Sequence, residues 1–479
     1  MNDLASTAPG SFAGRHAARS AALACMVTLA VALGIGRFAF TPLLPLMLHG
    51  GAFGQPQIDI QHGGWLASFN YAGYFVGAVT CAALRIESAR MVRAGLAATV
   101  LLTLMMGVTN QFWIWATVRF IAGAVSAWTF VFASQWGLRR LAELGAHGWD
   151  GVIYTGPGVG IVGTGLLVSV AGGYGATMGW LGFGLIAAVL SIAVWPVFGA
   201  ASGGGGKRLS ARMVGSGSGD QASVGTTSRR VARQFGETER AAARSAAAQS
   251  AAAQSAAAQS AAAQSAAAQS AATRGAVSHA TTAPVHHHTD TFWLVLLYGI
   301  PGFGYIITAT FLPVIARHAL PGSSWPDLFW PMFGAALIVG ALLAARLPAH
   351  WDNRALLAGC YVLQASGIAL GIIWPTAGGF SFGSILIGLP FTAITLFAMR
   401  EARRLRGDDA AGLMGYATAA YGVGQIVGPL VAAPIAEQTG SFSPALWLAA
   451  GALLLGAAGL IVVARMPRGR GRMPDCGCN

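Results

Sequence analysis

The chain has 479 residues, of which 55% are hydrophobic and only 9% are charged. Soluble domains carry about 25% charged residues, so a soluble fold of this composition would expose large apolar patches and aggregate. The formal net charge of +13 would suggest nucleic acid as a partner of a soluble protein. In so apolar a chain it points to the lipid bilayer instead, and we expect no nucleic-acid partner.

Long apolar runs dominate the chain. About 20 apolar residues are enough to cross a bilayer as a helix, and twelve such runs occur in two groups of six. We number them spans 1 to 12, and they cover residues 20–48, 63–84, 91–109, 112–134, 151–171, 176–198, 291–315, 328–347, 354–374, 380–399, 411–436 and 443–464. The pattern predicts an all-α integral membrane protein with twelve transmembrane helices in two six-helix bundles.

The gap between the two groups sets the domain organisation. We expect an N-terminal arm (1–19), a first six-helix bundle (20–198), a linker (199–290), a second bundle (291–464) and a basic tail (465–479). The linker contains tandem copies of Ser-Ala-Ala-Ala-Gln and offers no apolar face to bury. We therefore expect it to be mostly disordered.

The basic residues predict the orientation. When the N-terminus is placed in the cytoplasm, all but three of the 29 lysines and arginines fall in cytoplasmic loops, the arm, the linker or the tail. The exceptions are Arg317, on the other side, and Arg37 and Arg119, inside spans. Because cytoplasmic loops carry an excess of Lys and Arg, we predict a multi-pass protein with both termini in the cytoplasm.

Matching motifs in the two bundles indicate an internal repeat, which is a hallmark of transporters. Span 1 reads Gly-Ile-Gly-Arg at 34–37, span 7 reads Gly-Phe-Gly-Tyr at 302–305, and a Leu-Pro pair follows both at the same spacing. Spans 5 and 11 carry similar glycine motifs at 158–163 and 422–428. Each pair of motifs lies six spans apart, so we expect the two bundles to be pseudo-symmetric.

Two further motifs are typical of a known superfamily. Span 4 contains Arg119-Phe-Ile-Ala-Gly123, followed by Ala127, and span 5 begins with Gly156-Pro157. On these motifs the chain resembles the major facilitator superfamily. The resemblance covers both six-span blocks but not the linker, and it implies a transporter that works by alternating access.

The resemblance becomes more specific in the first two spans. Gly-Ile-Gly-Arg-Phe-Ala-Phe-Thr-Pro-Leu-Leu-Pro at 34–45 and Gly-Trp-Leu-Ala-Ser-Phe-Asn-Tyr-Ala-Gly-Tyr at 64–74 are similar to the bacterial YbfB-like family. The arginine in span 1 is unusual and makes this match informative. The family implies a permease of a bacterial inner (plasma) membrane whose substrate is not assigned.

Small residues in spans 5 and 11 are candidates for moving contacts. Glycines let membrane helices approach closely, and prolines permit a bend. They serve tight packing alone or, as the superfamily architecture implies, interdomain contacts that rock during alternating access. The residues assigned to this interdomain or gating role are Gly156, Pro157, Gly160, Gly163, Gly424, Gly428 and Pro429.

Two arginines lie within the spans. A central arginine costs about 2.5–3.5 kcal/mol on insertion scales and therefore usually serves a purpose. Arg37 in span 1 and Arg119 in span 4 fall at similar depth, and in the resembled fold both spans line the central cavity. None of the 16 Asp and Glu residues lies deep in a span. Each arginine therefore either snorkels or bonds to carbonyls and polar neighbours such as Asn70, or it binds an anionic substrate.

These considerations predict a secondary carrier for a small solute. The candidate substrate-binding residues are Arg37, Arg119, Asn70, Tyr74 and Tyr305. An organic or inorganic anion is the favoured substrate; the alternatives are efflux of neutral drugs or sugars, or a membrane sensor without transport. We find no nucleophile–base or metal constellation at membrane depth, so we expect no enzyme activity, no cofactor and no metal. We expect a monomer whose partners are the substrate and the bilayer, and substrate, direction and coupling ion stay open.

Overall fold

The computed structural model describes residues 10–49, 57–81, 84, 86–200, 286–348, 350–406 and 410–465. Most of the predicted linker and tail therefore lies outside the described residues. Helix 1 begins at Gly10, inside the predicted N-terminal arm.

The described residues form twelve long helices and no strands. In the first half, the helices are helix 1 (Gly10–Leu29, Ala30–Phe38 and Phe40–His49 in succession), helix 2 (Ile60–Thr80), helix 3 (Ser88–Val108), helix 4 (Phe112–Glu143), helix 5 (Gly156–Ala171, after a short turn at Asp150–Ile153) and helix 6 (Gly175–Ala200). In the second half, they are helix 7 (His286–Ala319), helix 8 (Pro326–Arg346), helix 9 (Asn353–Ile373), helix 10 (Ala377–Gly388 and Phe391–Arg406), helix 11 (Ala410–Thr439) and helix 12 (Ser443–Arg465).

Hydropathy supports a membrane location for these helices. In the described part of the chain, ten stretches are long and apolar enough to cross a membrane. One of them, Asp150–Gly199, contains both helix 5 and helix 6. Helix 2 is not among the ten, because polar and aromatic side chains such as Gln61, His62 and Asn70 lower its mean hydropathy. The predicted all-α membrane fold is confirmed.

The two halves pack in the same way. Helices 1 and 5, 2 and 4, and 3 and 6 pair within the first half, and helices 7 and 11, 8 and 10, and 9 and 12 pair within the second. The contacts between the halves are also related by this symmetry, since helix 2 packs on helix 11 and helix 5 packs on helix 8. The repeat indicated by the glycine motifs is therefore visible in the packing.

The repeated glycines explain the closest of these contacts. A Cβ atom on Gly34 of helix 1 would clash with the backbone of Gly160 on helix 5. At the corresponding crossing, a Cβ atom on Gly302 of helix 7 would clash with the carbonyl of Tyr421 on helix 11. Only glycine permits backbones to approach this closely, so the shared motifs of spans 1 and 7 encode one crossing used twice.

Most of the predicted gating glycines of helix 5 do not contact the other half. Gly156 and Gly160 pack on helix 1 of their own half, and Gly163 has no atom within 4 Å of where its Cβ would lie. The contact with helix 8 of the other half is made instead by Gly158 and Gly165. Residues four apart share a helix face, whereas a shift of two residues turns the contact to nearly the opposite face.

Helix 11 repeats this arrangement. Gly424 and Gly428 pack on helix 7 of their own half, whereas Gly422 contacts Phe75 on helix 2 of the other half. Pro429 does lie between the halves, because its carbonyl oxygen is 3.0 Å from where a Cβ of Gly64 would lie. The small residues thus serve packing within a half and packing between halves on alternate faces of the same helices.

The two ends of the bundle differ in charge. One end holds the beginning of helix 1 and the ends of helices 2, 4, 6, 8, 10 and 12; we call it the arginine-rich end. Every arginine in the described part of the chain lies there, except Arg37 and Arg119 within helices and Arg317 at the opposite end. Arg317 is paired with Asp327 at 2.5 Å.

Candidate functional site

Arg37 lies in an unusual stretch of helix 1. Residues Ala30–Phe38 form a π-helical segment in which all nine residues are buried. Such segments are rare and frequently mark functional sites. Two glycines fall in the segment, Gly34 against helix 5 and Gly36 against Thr99 of helix 3. Glycine weakens a regular α-helix and allows close approach, so these residues favour a local change of winding.

The guanidinium of Arg37 is surrounded by aromatic rings and one amide. The residue is 5% exposed, and its Nη2 donates a hydrogen bond of 3.2 Å to Oε1 of Gln425 on helix 11. Its central carbon lies 4.0 Å from the ring centroid of Tyr74 and 5.2 Å from that of Tyr71. Its Nε is buried without a hydrogen-bond partner among the described residues. Cation–π contacts cover the charge, and the buried Nε remains as a donor for a ligand.

Arg119 occupies a different position. It is 2% exposed, and its two terminal nitrogens donate to the carbonyls of Gly36 and Arg37 at 3.4 and 3.3 Å. Its guanidinium also packs on the ring of Phe40, 4.6 Å from the centroid. Asn70 in turn donates to the carbonyl of Arg119 at 2.8 Å. Arg119 and Asn70 therefore support the π-helical segment from behind, in line with bonding to carbonyls and polar neighbours.

Tyr305 joins Arg37 through Gln425. The side-chain amide of Gln425 donates to the hydroxyl of Tyr305 and accepts from Arg37, which links helices 1, 7 and 11 across the two halves. The ring of Tyr305 stacks on Tyr421 at 5.9 Å, and Tyr421 stacks on Tyr298 at 5.1 Å. Gln425 is not among the predicted site residues, because a glutamine in a membrane helix is usually a packing residue. Tyr421 is not among them either, and no sequence motif singled it out.

A small cavity lies between the two halves at this level. Its volume is about 40 Å³, which is room for only a few water molecules, whereas ligand pockets are typically about 300–1,000 Å³. The structure therefore has the site collapsed around Arg37. The cavity is lined by Leu33, Arg37, Phe38, Tyr74, Phe130, Tyr154, Pro157, Tyr305, Leu337, Phe391, Thr392, Tyr421 and Gln425.

The structure thus brings together some of the predicted binding residues and not others. Arg37, Tyr74 and Tyr305 line the cavity, whereas Asn70 and Arg119 do not. Pro157 also lines it, although it was predicted as a gating residue. No carboxylate is among the lining residues, so the guanidinium faces the cavity without an acidic partner there.

The sequence matches a family over two long segments. The family is described as "Uncharacterised MFS-type transporter YbfB", and it matches residues 29–218 and 233–462. The chain belongs to this family. It is a transporter of the major facilitator superfamily and not an enzyme.

Structural comparison agrees with this assignment. The solved structure of the nucleoside transporter NupG is similar, with a TM-score of 0.60, 11% sequence identity, and coverage of 94% of this chain and 100% of that chain. At this identity the likeness shows the fold alone. No curated relative matches the sequence.

Hydrogen bonds between the halves of the transporter lie on one side of the cavity. Thr41 donates to the carbonyl of Ala309 at 3.0 Å, and the hydroxyls of Tyr71 and Thr310 lie 2.9 Å apart. The hydroxyl of Ser68 also donates to a carbonyl of helix 11, at 2.8 Å. These contacts lie at or beyond the middle of the helices, toward the opposite end. These three bonds join the two halves between the level of the cavity and the opposite end.

A second, larger cavity opens at the opposite end. It has a volume of about 640 Å³ and is lined by segment 57–60 and the ends of helices 1, 7, 9 and 11. Asp59 on its rim begins helix 2 and accepts hydrogen bonds from the backbone and ring of His62. Partial burial acts to raise the pKa of the Asp59 carboxyl, but the bonds and charge of His62 outweigh it, and the pKa falls below its ordinary value.

A buried charge cluster at the arginine-rich end went unpredicted. Glu401 on helix 10 is 1% exposed and accepts from Nε of Arg354 on helix 9 at 2.7 Å. Arg404 donates to the same carboxylate, and Arg354 also reaches Asp290 of helix 7 at 3.0 Å. The one sequence signal was the Glu401–Arg404 spacing of three residues, which places opposite charges on one helix face.

Proposed function

We propose that this protein carries a small anion across the membrane by alternating access, and that Arg37 is the residue that binds it. Transport of a small solute follows from the family, and the anionic class is our addition. The observation that carries it is the guanidinium of Arg37, which is 5% exposed, has a buried Nε without a partner, and faces a cavity without a carboxylate. A buried cation is costly without a counter-charge, and an anionic solute supplies one.

Tyr74 and Tyr305 are proposed to contact the same solute. Tyr74 covers one face of the Arg37 guanidinium at 4.0 Å, so the solute approaches its edge, where the nitrogens can donate in the plane. Tyr305 is held by Gln425, which itself bonds to Arg37. Movement of helix 7 or helix 11 would therefore disturb the hydrogen bond of Arg37. Arg119 and Asn70 position the segment and do not touch the solute.

Alternating access requires the halves to separate at the opposite end. The hydrogen bonds of Thr41, Tyr71 and Ser68 to the second half would break in that step. Each of these bonds is worth only about 1 kcal/mol net, so solute binding could offset the loss of the three bonds. The contacts of Gly158 and Gly165 with helix 8 are where the halves would rock.

We further propose a bacterial inner membrane as the location, with both termini in the cytoplasm. The support is the placement of arginines, since only Arg317 in the described part of the chain lies at the opposite end. A cysteine at exposed Arg403 would react with a membrane-impermeant reagent only after the cells are opened. Labelling of intact cells at this position would contradict the orientation.

Transport itself is testable in proteoliposomes. The purified protein is expected to take up labelled organic or inorganic anions. Arg37→Met should abolish the uptake, because Arg37 is the only cationic residue among the described residues that line the cavity. Arg403→Met is the matched control, since Arg403 is exposed on helix 10 far from the cavity. Equal uptake by wild type and Arg37→Met would contradict the anion proposal.

A neutral solute is the second candidate. Gln425, Tyr305 and Thr392 give the cavity amide and hydroxyl groups that suit an uncharged polar solute. Such a carrier would move labelled sugars, nucleosides or drugs in the same proteoliposomes, and Arg37→Met would retain that transport.

A further inference from the structure

The walls of the Arg37 cavity are mainly aromatic. Seven of its thirteen lining residues are Phe or Tyr, and they come from both halves. Tyr305 and Tyr421 are stacked with an angle of 22° between their rings, and Phe391 stands edge-on to Tyr305 at 4.9 Å. A flat ring that enters between the separating halves would meet faces and edges suited to stacked and edge-on contacts. An aliphatic ring would lose those contacts.

Polar groups in the cavity are few, and some of them lack hydrogen-bond partners. Besides Nε of Arg37, the hydroxyl of Thr392 is buried without a hydrogen bond, and the hydroxyl of Tyr154 faces Ser134 without a bond of standard geometry. Tyr154 is 3% and Thr392 is 5% exposed. Buried polar groups are nearly always paired. Nε of Arg37 and the hydroxyl of Thr392, with the hydroxyl of Tyr154 beside Ser134, are therefore the groups of this cavity that a ligand would complete.

We propose that the solute is an aromatic carboxylate that carries a hydroxyl group on its ring. The inference rests on the proposed function and narrows its substrate class. The carboxylate binds the edge of Arg37, the ring lies among Phe38, Phe391 and Tyr421, and the hydroxyl bonds to Tyr154 or Thr392. The tyrosine side chains and the amide of Gln425 then exclude water around the bound ring.

The cavity at about 40 Å³ is too small for such a ring, so binding is coupled to a change of state. Separation of the halves at this level opens the site, and the ring replaces aromatic contacts that the two halves make with each other in the collapsed form. The same set of aromatic side chains would therefore serve the empty and the loaded carrier.

The test is the shift of the unfolding temperature of the full chain, purified in detergent, with five probes. These are 4-hydroxybenzoate, benzoate, cyclohexanecarboxylate, benzyl alcohol and uridine. We expect 4-hydroxybenzoate to bind most tightly. Benzoate should bind about two- to tenfold more tightly than cyclohexanecarboxylate, which has the same charge and a similar size but no aromatic ring. Benzyl alcohol and uridine should give no shift.

Variants of the protein test which residues bind each part of the solute. Arg37→Met should abolish the shifts with all three carboxylates. Tyr154→Phe and Thr392→Val should together remove the advantage of 4-hydroxybenzoate over benzoate and leave the benzoate shift unchanged. Tyr361→Phe is the matched control, because Tyr361 bonds to the carbonyl of Leu297 within the second half and does not line the cavity.

The outcomes separate this inference from the proposed function. Equal shifts with cyclohexanecarboxylate and benzoate, both lost in Arg37→Met, would overturn the aromatic class and leave the anion carrier intact. Shifts with uridine or benzyl alcohol that persist in Arg37→Met would overturn both. A benzoate shift equal to that of 4-hydroxybenzoate would overturn the ring hydroxyl alone.

Discussion

Arg37 and Arg354 are both nearly fully buried, at 5% and 4% exposure, yet their surroundings differ in charge. Arg354 donates to the carboxylates of Glu401 and Asp290 and to the carbonyl of Val463, with distances of 2.7, 3.0 and 2.9 Å. Arg37 donates to one neutral amide, and aromatic rings cover it. The first arginine belongs to a charge cluster within one half, and the second lies in a cavity between the halves.

The hydrogen-bond partners of a buried charge distinguish a structural role from a binding role. The cluster ties helices 7, 9, 10 and 12 together, and every nitrogen of the Arg354 guanidinium has an acceptor. The interaction energy of this cluster stabilises the fold and is not available to a ligand. Arg37 retains a buried donor without a partner, so part of the interaction energy of its charge is left for a ligand.

The largest expected effect is on the cluster. Glu401→Ala should lower the free energy of unfolding in detergent by about 3–5 kcal/mol, because it leaves a buried guanidinium short of its partner. Glu143→Ala is the matched control, since Glu143 pairs with Arg140 three residues away but on the exposed surface. The control should lose no more than about 1 kcal/mol. Similar losses of unfolding free energy in both variants would show that burial does not make the ion pairs of the cluster more stabilising than an exposed pair.

Arg119 is intermediate between the two cases. Its partners are the carbonyls of Gly36 and Arg37 and not carboxylates. Arg119→Met should lower the free energy of unfolding by about 2 kcal/mol, because two buried carbonyls lose a charged donor. Affinity for anions should also fall as the π-helical segment loosens. If stability were unchanged while affinity fell as much as in Arg37→Met, Arg119 would be a ligand-binding residue.

The geometry of Arg37 can be tested without removing its charge. Arg37→Lys keeps one positive charge but loses the planar fork that binds a carboxylate at two points. Anion affinity should fall about tenfold, equivalent to about 1.4 kcal/mol, in a binding titration with the purified protein. Arg403→Lys provides the control. Unchanged affinity in Arg37→Lys would mean that the site needs only a point charge.

The smallest effect concerns closure at the opposite end. Tyr71→Phe removes the hydrogen bond to Thr310 and should favour separation of the halves by about 1 kcal/mol, or about fivefold. A cysteine at Ala433, which is buried against Gly64 of the other half, should then react faster with a thiol reagent. Tyr361→Phe, which loses a bond within one half, should leave that rate unchanged. An equal increase in both variants would indicate general loosening.

Much of the fold could be predicted from the sequence because hydrocarbon imposes simple rules. Apolar length located the helices, and the glycine motifs of spans 1 and 7 indicated the repeat that the structure shows in the crossings at Gly34 and Gly302. Arg37 could be singled out because a charge within a span is conspicuous. That reasoning needed only composition along the chain.

The rest required three-dimensional information. Gly156 and Gly158 differ by two residues, yet they face different halves, and composition does not distinguish the faces of an apolar helix. Glu401 lies near a helix end, where sequence reasoning expects water, but its face of helix 10 is buried against helix 9. The bonds from Arg119 to helix 1 depend on a π-helical winding that no sequence motif predicted.

The central claim is that the charge of Arg37 has no acidic partner among the described residues, only one amide and aromatic rings. Its most direct test is the free energy of unfolding of Arg37→Met and Arg354→Met without added anions, each measured against wild type. Methionine fills a similar volume without charge, so Arg37→Met should match or exceed the wild-type stability, whereas Arg354→Met should lose about 3–5 kcal/mol. A comparable loss in both variants would contradict the claim, because it would show that the protein itself already satisfies Arg37.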